Sequence, residues 1–156
     1  MTITSAICNS FKQEILVGTH NFTNSSGNTF KIALYSSNSA TLSKSTTAYT
    51  APADATADPT NTYEVTTTSS GYTGGGNTLT STTPVLSGDT ACCKFADTSW
   101  GSSASFTARG CLIYNSTNAN KAVCAINFGA NKTVTSGTFT IQFPAQTAGN
   151  AIIQIA

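Results

Sequence analysis

The chain has 156 residues and a mass of about 16 kDa, with seven basic side chains, six acidic ones and one histidine, for a formal net charge of +1. Only 8 % of its residues are charged, while threonine and serine make up about 31 %. This excludes intrinsic disorder driven by high net charge, and it argues against a nucleic-acid partner, which needs clustered Lys and Arg to displace counterions from phosphates.

A chain of this length makes one domain, residues 1–156. No apolar stretch approaches the roughly 18 to 20 residues of a membrane-spanning helix, so no membrane partner is expected. The opening MTITSAICNSFKQEIL lacks the basic region followed by an apolar one that marks a secretory signal. Asn-x-Ser/Thr sequons begin at Asn21, Asn24, Asn115 and Asn131. In so Asn- and Thr-rich a chain they arise by composition, and no glycan is expected.

Residues 5 to 17 place Ala6, Ile7, Phe11, Ile15 and Leu16 on one helical face, with Asn9, Lys12 and Gln13 opposite. Ser5 is the expected N-cap and Gly18 the C-cap. The pattern predicts one N-terminal amphipathic helix. Thr29–Tyr35 then alternates, with Phe30, Ile32 and Leu34 on one face, and predicts a half-buried strand. Residues 36 to 61 carry Pro52, Pro59 and many Ser, Thr, Ala and Asp, which predicts a long exposed loop.

A short strand is expected at Tyr63–Thr67, followed by a bend at Ser70–Asn77. The Gly74-Gly75-Gly76 run lacks the Lys and the helix of a phosphate loop, so it reads as a bend where backbone passes close to another group. Strands are predicted at 78–82, 91–96 and 105–114. The last forms a hairpin with 121–128 through Asn115–Asn120. Gly129–Lys132 reads as the next turn, before strands at 138–143 and 151–155. Seven or eight regularly spaced strands predict a mainly β fold, an antiparallel β-sandwich or a jelly-roll-like barrel.

Five cysteines, Cys8, Cys92, Cys93, Cys111 and Cys124, form no CxxC pair, so they read as buried apolar residues rather than metal ligands. Adjacent Cys92 and Cys93 would face opposite sides of a strand. His20, in GTHNF, is expected in a solvated or capping position. Asp54 and Asp58 share a loop without the spacing of a calcium site. Arg109, the only arginine, is expected to pair with Asp97 or Asp89 as a structural ion pair. No base, orienting acid and nucleophile group together, so no catalytic site, cofactor or metal is expected and the chain reads as no enzyme. Trp100, Tyr49, Tyr63 and Tyr72 fall in or beside predicted loops and are the candidate interface residues, with Trp100, flanked by Ser and Gly, reading equally as a core anchor.

The runs AICNSFKQEILVGTHNF, NTFKIALYSS, SGYTGGGNTLT, SGDTACCKFADTSWGSSASFTARGCLIYNSTNANKAVCAINFG and FTIQFPA…AIIQIA resemble a family of small virion structural proteins of tailed bacteriophages, cyanophages among them. The Cys92-Cys93 pair departs from the aliphatic or aromatic pattern expected in that strand. The resemblance spans nearly the whole chain and implies a non-enzymatic particle component, made in the host cytoplasm and located in the virion. A capsid decoration or cement protein that binds the major capsid protein is the favoured position, as a homo-oligomer and on lattice symmetry a trimer. The alternatives are a tail or neck adaptor, a fibre-associated protein, or a carbohydrate-binding module using the exposed aromatics.

Overall fold

A computed structural model describes residues 2–36, 41–50, 63–67 and 70–156. Among the described residues the strands are β1 (Ala6–Ile7), β2 (Phe30–Tyr35), β3 (Asn77–Leu79), β4 (Ser81–Ser87), β5 (Thr90–Phe95), β6 (Thr98–Asn115), β7 (Lys121–Ile141) and β8 (Ile153–Ile155), with one helix, α1 (Asn9–Leu16). They form two antiparallel sheets, one of five strands in the order β1-β7-β6-β2-β3 and one in the order β4-β5-β8. The fold is mainly β, and with neither sheet closed on itself it is a sandwich rather than a barrel.

The helix is shorter than its periodicity suggests. Ala6 and Ile7 pair with Ala125 and Cys124 of β7 instead, because a strand edge offers their backbone groups partners that an isolated first turn cannot. Cys8, not Ser5, is the N-cap, and its side chain makes no capping bond. Gly18 does end the helix, with φ +74° and its N–H donating to the Ile15 carbonyl at 3.2 Å. Of the expected apolar face only Phe11 is buried, and Leu16 is 86 % exposed.

The alternation of β2 predicts a half-buried strand, yet Phe30, Ile32, Ala33, Leu34 and Tyr35 are all buried. Its two faces have different covers. Phe30 stacks on Phe22 with centroids 4.3 Å apart and meets Phe95 of β5 at 5.6 Å, so this face looks toward the three-stranded sheet. On the other face the neighbouring Tyr114 of β6 stacks on Tyr49 at 4.4 Å. Tyr49 belongs to the expected loop 36–61. Within it, residues 41–50 are anchored: Leu42 and Tyr49 are buried and Ala48 bridges to Lys121. Residues 37–40 and 51–62, with Asp54 and Asp58, lie outside the described residues.

Tyr63–Thr67 forms no strand but a single bridge, Glu64 to Tyr35. The glycine run does bring backbones together. At Gly76, φ +72°, a Cβ would lie 1.7 Å from the Ile32 carbonyl oxygen, so only glycine fits.

The hairpin of β6 and β7 closes through residues 116–120, where Ala119 and Asn120 are left-handed at φ +49° and +56°. The turn expected at Gly129–Lys132 is not a reversal. Gly110 pairs with Asn127 and Ala108 with Lys132, so Arg109 alone faces the four residues 128–131 in a wide bulge. The glycine signal is real, but it marks a kink inside one strand that runs on to Ile141.

Candidate interaction surface

The aromatic residues singled out from sequence are mostly interior. Trp100 is 3 % exposed, Tyr72 is 3 % exposed and Tyr49 is buried, while Tyr63 is half-buried. Trp100 faces Phe139 across the β6–β7 ladder and packs on Tyr72 and Phe106 at 6.0 and 6.2 Å. The expectation that these residues offer an exposed surface is corrected for Trp100, Tyr49 and Tyr72. A loop position does not imply exposure when the loop lies across a sheet face.

Nor does the structure form the Arg109–Asp97 ion pair. Asp97 accepts the Phe143 N–H at 2.9 Å, and among the described residues the salt bridges are those of Glu14 with His20 and Lys121. Arg109 lies far along β6 from Asp97, which immediately precedes that strand.

Two polar clusters that sequence reasoning missed take the place of these pairs. In the first, Glu64 accepts hydrogen bonds from the Tyr49 hydroxyl at 2.9 Å, the Tyr72 hydroxyl at 2.7 Å and the Gly75 N–H at 2.7 Å. The Leu34 N–H donates to the same Tyr72 oxygen at 2.9 Å. Glu64 thereby ties residues 41–50 and 70–76 to the edge of β2. Burial pushes the Tyr72 hydroxyl well above its ordinary range, and the Glu64 charge adds to this, so it stays a donor.

In the second cluster His20 is buried rather than solvated. Its Nε2 lies 2.9 Å from Glu14 Oε2 and its Nδ1 3.1 Å from Asn115 Nδ2, while Lys121 Nζ donates to Glu14 Oε1 at 2.6 Å. Asn115 Oδ1 accepts the N–H groups of Thr117 and Asn118 at 3.1 and 3.2 Å. Its amide nitrogen must then face His20, so Nδ1 accepts and Nε2–H donates to Glu14. With its side chain wholly enclosed and each ring nitrogen engaged, His20 locks helix, hairpin turn and sheet together.

The surface itself is distinctive at one end of the sandwich. Cross-strand partners share a sheet face, so Leu86, Ala91 and Ile155 form one row on the inner face of the three-stranded sheet, with Cys93 and Ile153 in the next row and Phe95 beyond. Exposure falls along these rows from Leu86 at 76 % and Ile155 at 57 % to Phe95 at 0 %. The sheets are thus uncovered at the Leu86 end. There a groove of about 480 Å³ runs between Ile15 and Phe22 on one side and Ala91, Ile153 and Ile155 on the other. Leu16 and Val17, 86 % and 73 % exposed, lie in the chain between the lining residues Ile15 and Gly18. Exposed Leu86 and Ile155 in one row beside this groove make that end a candidate interaction surface, while Val85, 46 % exposed and paired with Cys92, stands on the other face.

No metal-binding group of three or more His, Cys, Asp or Glu occurs among the described residues, and no helix among them is long and apolar enough to cross a membrane. No protein-family model, no curated protein and no solved structure matches the chain.

Proposed function

We propose that this chain is a non-enzymatic structural protein of a bacteriophage virion, assembled in the host cytoplasm, and that it acts as a capsid decoration protein bound to the major capsid protein lattice. The observation that carries the reading is the uncovered end of the sandwich, where exposed Ile155 lines an apolar groove and exposed Leu86 shares its cross-strand row. Such a surface gains most of its binding energy from removal of apolar area from water. The low charge of the remaining surface fits close packing on a lattice, since it brings little like-charge repulsion between neighbours. The sequence resemblance to phage virion proteins supplies the setting, and lattice symmetry the expected trimer.

Placement in the neck, tail or fibres is the second reading, and it uses the same surface on a different neighbour. Burial of Trp100, Tyr49 and Tyr72 leaves half-buried Tyr63 as the one remaining support, among the four aromatics, for a carbohydrate-binding module.

The test is addition of the purified chain to capsid shells lacking it, followed by sedimentation. The wild-type chain is expected to travel with the shells and Leu86→Asp to stay behind. Equal binding by Leu86→Asp would remove this end as the contact surface, and no binding by the wild-type chain would remove the decoration role.

A further inference from the structure

The second groove lies on the five-stranded sheet, and it is built by bending. Ile126 and Ile141 both line it, although fifteen residues of β7 separate them, which in a straight strand is about 50 Å. Three irregularities in the β6–β7 ladder bring them together. Arg109 faces four residues, 128–131. Ser105 faces Thr135 and Ser136, and residues 101–103 face Thr138. Each such mismatch bends and twists the ribbon, and bulges recur where a fold shapes a binding site.

The groove so formed is apolar and incompletely covered. Nine partly buried apolar residues pack against the core among the described residues, and five of them, Ile126, Phe128, Phe139, Ile141 and Ile152, line this one groove of about 440 Å³. That volume falls in the range of small-molecule sites, about 300 to 1,000 Å³. One charged side chain joins the lining, Lys132. It is exposed and makes no hydrogen bond or ion pair among the described residues. No acidic residue lines the groove, and Asp97, beside its Phe143 end, is turned to the Phe143 N–H. The groove therefore pairs an elongated apolar wall with a single unneutralised positive charge.

We propose that this groove binds a single-chain carboxylate amphiphile of the fatty-acid class, with the alkyl chain along Phe128, Phe139 and Ile152 and the carboxylate at Lys132 Nζ. The apolar wall supplies affinity that grows with chain length, and Lys132 supplies the preference for an anionic head. The proposal stands independently of the virion role.

The experiment titrates the full chain with octanoate, decanoate and dodecanoate below their micelle-forming concentrations, with 1-decanol as the uncharged probe, followed by NMR of methyl and amide groups. Saturable binding at one site is expected, tightening about two- to fourfold per added methylene, with shifts at Ile126, Ile141 and Ile152. Lys132→Gln, at an exposed position the fold does not use, is expected to weaken decanoate about three- to fivefold and leave 1-decanol unchanged. Absence of binding, non-saturating binding, shifts confined to the other groove around Ile15 and Ile155, or equal decanoate affinity in Lys132→Gln would each overturn the proposal.

Discussion

The Tyr49 hydroxyl donates to Glu64 Oε2 at 2.9 Å across fifteen residues of chain, and the same carboxylate takes the Tyr72 hydroxyl and the Gly75 N–H on its other oxygen. Three donors from two segments converge on one side chain. Glu64→Ala leaves them without an acceptor, and a cost of about 2 to 4 kcal/mol is expected. Glu64→Gln keeps one acceptor oxygen and is expected to cost less. Denaturant unfolding of both variants checks the order, and equal stability of Glu64→Ala and wild type would remove Glu64 as the tie.

Acid should weaken the fold through Glu14. Burial works to raise its carboxyl, but the hydrogen bonds from Lys121 and His20 and the Lys121 charge outweigh it and hold the group below the usual carboxylate range. A carboxyl depressed in the folded state contributes stability that is present above its unfolded value, about 4.3, and lost as pH falls toward the folded one. The wild-type chain is therefore expected to lose stability below about pH 4.3, and Glu14→Gln to lose less over the same interval. Parallel unfolding curves for the two proteins between pH 6 and pH 3 would contradict this.

The thiols should be inert in the folded chain. All five cysteines are free and buried, and burial pushes Cys93 up to about 12. Burial, with the Cys8 charge adding to it, pushes Cys124 up to about 12 as well. Little thiolate exists at Cys93 or Cys124 at neutral pH to react. Titration with a disulfide reagent at pH 8 is expected to find almost no reactive thiol in the native protein and five in denaturant. Rapid modification of the native protein would show that the interior opens readily.

Gly76 and Gly88 separate backbone strain from crowding. Both have positive φ, at +72° and +62°, but a Cβ at Gly76 would meet the Ile32 carbonyl oxygen at 1.7 Å whereas one at Gly88 meets nothing within 4 Å. Gly88→Ala carries the conformational cost alone, about 1 to 2 kcal/mol. Gly76→Ala is expected to cost about 3 kcal/mol or more, because β2 and the glycine run must separate. Thermal unfolding of the two variants measures the difference.

Alternation and glycine content made the strands legible in the sequence, and the hairpin through Asn115–Asn120 could be read from its turn residues alone. Gly129 shows the limit of such reading. The same signal serves a reversal and a bulge, and only the partner strand, with Arg109 facing four residues, decides between them. The Glu64 cluster was not legible because its donors come from positions 49, 72 and 75, whose approach depends on how two segments cross a sheet face. Trp100 sits among Ser and Gly, which leaves a core anchor and an exposed contact both open, and its ladder partner Phe139 places it inside. The apolar end was hidden for the converse reason: Leu86 and Ile155 belong to ordinary strand patterns, and their exposure reflects where the opposite layer stops.

The most direct measurement of the proposed role is the copy number of this chain per purified phage particle, by quantitative mass spectrometry against the major capsid protein. A decoration protein spread over a capsid lattice predicts hundreds of copies, in a fixed ratio to the capsid subunit. Six, twelve or a few tens would place the chain in the neck, tail or fibres and contradict the decoration role, and its absence from particles would contradict a virion role altogether.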